Sequence, residues 1–121
     1  MINTTNPKDT VQLILNFINS FEYKYRSVGI AAFGPIGVDK TQSDYGFVTT
    51  TPKVEWQNFN LLKTVVDGIN NKDESFGVAF DTDVNIVAQY EADFGGHKDA
   101  GGNLVYITVG TGIGIGVVLN G

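Results

Sequence analysis

The chain contains no cysteine. That excludes a disulfide framework, thiolate chemistry and a cysteine-based metal site. It also fits a cytoplasmic location, where disulfides are rare. Histidine is almost as scarce, with His97 the single example. One histidine cannot build a zinc site alone, and His97 is expected to be a solvated loop residue. Basic clusters are missing too: eight lysines and arginines are scattered singly against thirteen acids, for a net charge of −5. Phosphate backbones demand clustered positive charge, so nucleic acid is not an expected partner. No apolar run approaches the roughly 20 residues of a membrane span. The opening stretch, Met1 to Pro7, lacks the basic and apolar regions of a signal peptide, and no membrane partner is expected.

What is present suits a folded domain. The 121 residues are 42% apolar and only 17% charged, which is enough for a modest core and argues against disorder. Ten of the fifteen glycines lie after residue 76, so tight backbone geometry is concentrated in the second half.

The stretch from Gly77 to Glu91 organises the rest. Gly77 to Phe80 is a short apolar run that predicts a buried strand. The period then changes. Val84, Val87, Ala88 and Glu91 fall at helical spacing and predict a helix that begins just after Asp83. Asp81, Thr82 and Asp83 form a polar turn between the two. Open α/β sheets bind ligands at the carboxyl ends of their strands. Asp83 therefore has two readings: an N-cap for the helix, or a general base aimed at a substrate hydroxyl.

Earlier in the chain, Asn6-Pro7 reads as a helix start. Val11, Ile14, Leu15 and Ile18 mark an apolar face on a helix running to about Tyr23. Ser27 to Phe33 predicts a buried, parallel strand that ends in a tight turn at Gly34-Pro35. That turn is either a plain loop or a place where Gly34 lets a ligand approach the backbone. Tyr45 to Thr49 predicts an edge strand, ended by Thr50-Thr51-Pro52. Trp56 is suited either to stacking on a sugar or to ordinary packing. Leu62, Val65, Val66 and Ile69 give a second helical face, weakened by Gly68 and closed at Asn70 to Lys72. Alternating helices and strands argue for an α/β architecture.

Gly95 to Gly102 reads as a flexible linker. Asn103 to Val109 and Ile115 to Leu119 then predict two strands around a glycine-rich turn, and Asn120-Gly121 is a hairpin-turn dipeptide. Gly110, Gly112, Gly114 and Gly116 alternate through that turn. Backbone N–H groups of Gly112 and Gly114, with the Thr111 hydroxyl, could hold a phosphate. The alternative is a glycine-rich hairpin with no ligand. The dinucleotide pattern is not matched, because Ile115 stands where its third glycine belongs, and no lysine follows to make a P-loop.

Four segments occur in one order: Phe33 to Pro35; Tyr45 to Lys53 followed by Trp56; Phe80 to Asn85 with Glu91; and Tyr106 to Gly114. Together they resemble the ROK family of sugar kinases, and within it the bacterial-type fructokinases. The resemblance covers nearly the whole chain. It implies the actin-like ATPase (ribonuclease-H-like) α/β fold, incomplete here, lacking the N-terminal strands and most of the second domain. Residues 1–100 would be part of the first, sugar-binding domain, and 103–121 the opening hairpin of the second, nucleotide-binding domain. Asp83 would be the catalytic base. Gly34, Pro35, Thr50 or Thr51, Thr82 and Asp83 would meet the sugar, and Thr111, Gly112 and Gly114 would meet ATP. Thr82 stands where many relatives have asparagine, as in the fructokinase branch, which points to fructose. ATP with Mg²⁺ would be the phosphoryl donor, and the whole protein a homodimer. The family's first phosphate loop and its His- and Cys-containing zinc segment are not found in this chain. The resemblance thus implies an ATP-dependent fructokinase whose isolated segment, residues 1–121, is inactive. A non-catalytic, sugar-binding regulator of the same family is the alternative.

Overall fold

Asn6 starts the first helix. Its side-chain oxygen accepts the Asp9 N–H at 2.9 Å, and Pro7 takes the first helical position, as expected. The computed structural model describes residues 1–96, 101–110 and 112–121, so His97 and Thr111 lie outside the described residues. Two units emerge, Met1–Phe80 and Asp81–Gly121.

In the first unit, α1 covers Pro7–Asn19 and buries Val11, with Ile14, Leu15 and Ile18 half-buried behind it. It stops short of Tyr23. The Ser20 hydroxyl donates to the Phe17 carbonyl at 2.7 Å and the Tyr25 hydroxyl to that of Ile18 at 2.6 Å. These side chains satisfy carbonyls left open at the helix end. Strand β1 (Tyr25–Ala32) turns Val28, Ile30 and Ala32 inward and leaves Ser27, Gly29 and Ala31 exposed. The continuous apolar run predicts burial on both faces; only one is buried, because the other carries residues too small to announce an alternation.

The predicted edge strand shrinks to β2 (Phe47–Val48), paired antiparallel with β3 (Phe59–Asn60). Between them Val54–Trp56 forms one 3₁₀ turn. Trp56 is only 3% exposed, so its ring is a core element and not a sugar platform. Its indole N–H donates to the Thr5 carbonyl at 2.6 Å, and its ring meets Phe33 and Phe59 edge-on at 5.3 and 5.7 Å. Trp56→Ala is therefore expected to cost about 3–5 kcal/mol in urea unfolding.

Helix α2 (Leu61–Gly68) is capped by Asn60, whose side chain accepts the Lys63 N–H at 2.9 Å. Its last residue, Gly68, lets α1 come close, since a Cβ there would collide with the Leu15 side chain. The Lys72 ammonium then donates to the Val66 and Ile69 carbonyls, both at 2.7 Å. Strand β4 (Lys72–Thr82) is a hydrogen-bonded neighbour of β1. Val48, Leu61, Leu62, Val65, Ile69 and Phe80 join Val11 and Trp56 in one core.

The second unit opens with the last two residues of β4 and continues into α3 (Asp83–Phe94). Strands β5 (Leu104–Val109) and β6 (Ile113–Val118) form an antiparallel hairpin, with Leu104 opposite Val118 and Val109 opposite Ile113. One face of the hairpin packs on α3. Val84 and Ala88 lie in that contact; Val87, predicted on the same face, is exposed. The other hairpin face carries Val105, Ile107, Val109, Ile113, Ile115 and Val117, all at least half exposed. Asn120 and Gly121 have φ of +63° and +84°, the backbone sign that a type I′ turn requires. The architecture is mixed α/β. Among the described residues no helix is long and apolar enough to cross a membrane.

Candidate functional site

The candidate residues fall into two groups, one in each unit.

The first surrounds the turn after β1. The Gly34–Pro35 peptide is cis. The Pro35 carbonyl accepts the Thr49 backbone N–H at 2.9 Å and the Thr49 hydroxyl at 3.1 Å. Gly37 and Phe47 are joined by a further backbone bond of 2.9 Å. The turn is thus tied to the end of β2, and Thr49 is a residue that sequence reasoning missed. The bond depends on two segments fourteen residues apart, which no local pattern reports. The two threonines that follow separate cleanly. Thr50 is exposed, as are Gly34 and Pro35. Thr51 is 2% exposed, and its carbonyl accepts the Gln57 side-chain amide at 2.8 Å. Thr50 is open to solvent, whereas Thr51 holds its own loop. Nearby, the Lys53 ammonium stands 4.1 Å from the centre of the Phe33 ring, a favourable placement over an aromatic face. Asp39, in the same loop region, has its carboxyl held below the ordinary value by the Thr41 backbone N–H and then by the Thr41 hydroxyl.

A cavity of about 320 Å³ in this unit is not part of the group. It is lined chiefly by apolar side chains of α1, β1 and α2, among them Ile14, Ile18, Val28, Ile30 and Val65. A smaller hollow of about 200 Å³ adjoins Thr49 and is lined by Ser43, Asp44, Phe47, Thr49 and Asn58.

The second group sits where β4 passes into α3. The pattern predicts a three-residue turn, Asp81 to Asp83, with Asp83 as a possible cap. Instead the strand runs through Thr82, and α3 starts at Asp83 with no residue between. Thr82 is the N-cap: its backbone is extended, and its hydroxyl accepts the Asn85 N–H at 3.2 Å. Thr82→Ala is expected to cost about 1 kcal/mol of stability, read by thermal unfolding. Asp83 is left as the first helical residue, exposed, with one Oδ1 contact to the Val84 N–H at 3.0 Å.

The first turn of α3 rests on the hairpin. A Cβ at Gly114 would lie 2.8 Å from the Val84 side chain and 3.0 Å from that of Thr108. A Cβ at Gly116 would run into the Val84 backbone carbonyl. Gly110 and Gly112 differ: among the described residues, a Cβ on either would meet nothing within 4 Å. The Gly110 N–H bonds to the Gly112 carbonyl at 2.9 Å, which closes the turn tightly. The alternating glycines therefore do two jobs, two of them admitting the helix and two leaving the turn open. Asp83 is thereby carried by the helical turn seated on the strand that leaves the glycine turn. Such a turn offers backbone donors to an anion, and an exposed carboxylate can accept a proton.

The ROK family profile matches residues 2–121. The fructokinase of Streptococcus mutans serotype c is 38% identical over 118 residues, covering 98% of this chain and 38% of that protein. The fructokinase of Lactococcus lactis subsp. cremoris is 36% identical over 118 residues, covering 98% of this chain and 37% of that protein. The xylose repressor of Bacillus subtilis is 27% identical over 124 residues, covering 98% of this chain and 30% of that protein. The chain thus spans less than two-fifths of the length of the curated relatives it matches.

Proposed function

The chain belongs to the ROK family, and from that premise we propose that the whole protein is an ATP-dependent sugar kinase acting on fructose at its 6-hydroxyl. One observation carries the reading. Asp83 is exposed at the start of α3, relieved of capping by Thr82, on a helical turn packed against the strand that leaves the glycine turn. Asp83 accepts the proton of the sugar hydroxyl as that oxygen attacks the γ-phosphorus of ATP. Phosphoryl transfer asks mainly for positioning and charge stabilisation. The amides of Gly112 and Gly114, with the hydroxyl of Thr111, are the proposed phosphate contacts. Mg²⁺ enters with ATP as part of that substrate and spreads the charge of its phosphates. Gly34, Pro35 and Thr50 are the proposed sugar contacts, with Thr82 beside the base and Thr51 supporting Thr50 from within.

The actin-like fold belongs to the same proposal. Residues 1–100 form part of its first domain, and 103–121 open its second. So do the cytoplasmic location and the homodimer. The isolated segment is expected to be inactive, and the exposed apolar face of its hairpin supports the need for more protein around it.

The test is direct. Whole protein, Mg²⁺, ATP and fructose should release ADP in step with fructose phosphate. A second reading, a sugar-binding regulator, is favoured by the match to a xylose repressor. Sugar binding without ADP release above background would leave that reading and remove the kinase.

A further inference from the structure

Asp81 and Asn85 have no role in the chemistry so far. Both are half-buried, on either side of the Thr82–Asp83 junction. One oxygen of Asp81, Oδ1, accepts two bonds: the Thr82 backbone N–H at 2.6 Å and the Asn85 side-chain amide at 2.8 Å. The Asn85 backbone N–H is held in turn by the Thr82 hydroxyl at 3.2 Å. Asn85 is therefore tied through its backbone N–H and its side-chain amide to the last two residues of β4. The closed set of bonds spans the junction, and Asp83 is carried inside it. Among the described residues, the one hydrogen bond to the Asp83 carboxylate comes from the Val84 N–H.

We propose that Asp81 and Asn85 are positioning residues for Asp83: they lock the strand-to-helix junction so that the Asp83 carboxylate is presented in one direction. The inference rests on the reading of Asp83 as the base. Its physical content is that hydrogen bonds, not the Asp81 charge, do the positioning. A reacting group displaced by about an ångström can lose on the order of a hundredfold in rate.

The kinetic arm uses the whole protein. Asp81→Ala should lower kcat roughly tenfold to a hundredfold with little change in KM for the sugar. Asp81→Asn, whose amide oxygen can accept the same two bonds, should restore most of that loss. Asn85→Ala should behave like Asp81→Ala. The double alanine variant should be no worse than either alone, because both remove one shared contact. The structural arm uses the whole protein as well. Amide hydrogen exchange at Thr82 and Asn85 should speed up in Asp81→Ala and stay slow in Asp81→Asn.

Full kcat in Asp81→Ala, with Asp83→Asn inactive, overturns the inference and leaves the base assignment standing. Equal losses in Asp81→Asn and Asp81→Ala overturn it as well, since the charge would then be what matters. Unchanged exchange in Asp81→Ala overturns the clamp itself. Full turnover in Asp83→Asn removes the proposed base, and the inference goes with it.

Discussion

Asp83→Asn in the whole protein is expected to lower kcat for sugar phosphorylation by about a thousandfold, with sugar affinity close to its starting value. The substitution is nearly isosteric. An amide oxygen can still accept the Val84 N–H that Asp83 accepts at 3.0 Å, so the start of α3 should persist. What disappears is the ability to take a proton. The prediction is sharp because the competing explanation for this residue is gone. An aspartate at a helix start is ordinarily a cap, but here Thr82 supplies the capping oxygen. Asp83 is exposed, so its carboxylate is open to a substrate hydroxyl. ADP release in a coupled assay gives kcat, and titration calorimetry with fructose gives binding. A variant that turns over at the original rate would return Asp83 to the status of a surface carboxylate.

How much of this was legible in the sequence depended on how local each cause was. The α1 start was readable because Asn6 and Pro7 act on their own helix within three residues. The switch to a helix was readable from Val84 and Ala88 to within one residue, since the pattern starts it just after Asp83 and α3 starts at Asp83; the β5–β6 hairpin was readable from its alternation around a glycine turn. The identity of the cap was not. Thr82 and Asp83 are both good capping residues and differ in position by one, and only the length of β4 decides between them. Strand β3 was missed because two residues, Phe59 and Asn60, carry no period. Trp56 stood between two readings until the Thr5 carbonyl and the Phe33 and Phe59 rings appeared around it. The Thr49–Pro35 bond joins distant segments and has no sequence signature. The glycines were visible as a set, but the partition among them was set by where Val84 and Ala88 land.

That partition yields the second large effect. Gly116→Ala is expected to destabilise the 121-residue chain by about 2 kcal/mol, whereas Gly112→Ala should stay within about 0.5 kcal/mol. The backbone freedom of glycine is not at issue, since neither position has the positive φ that alanine resists. The difference is space. At Gly116 the new methyl group would meet the Val84 carbonyl and lie 3.0 Å from the Ala88 side chain. The backbone carbonyl cannot swing aside as a side-chain tip can, so α3 must lift from the hairpin. At Gly112 the methyl group would meet no atom of the described residues within 4 Å, and no packing contact there opposes it. Activity should reverse the order of interest. A methyl group at Gly112 stands in the open turn where a phosphate would approach, and the KM for ATP should rise about tenfold in a protein of unchanged stability. Urea unfolding of both variants of the 121-residue chain, with ATP kinetics of Gly112→Ala in the whole protein, separates packing from binding. A Gly112→Ala variant with unaltered ATP kinetics would make the turn a plain hairpin. A Gly116→Ala variant as stable as the parent would mean that α3 does not rest on β6 through this strand.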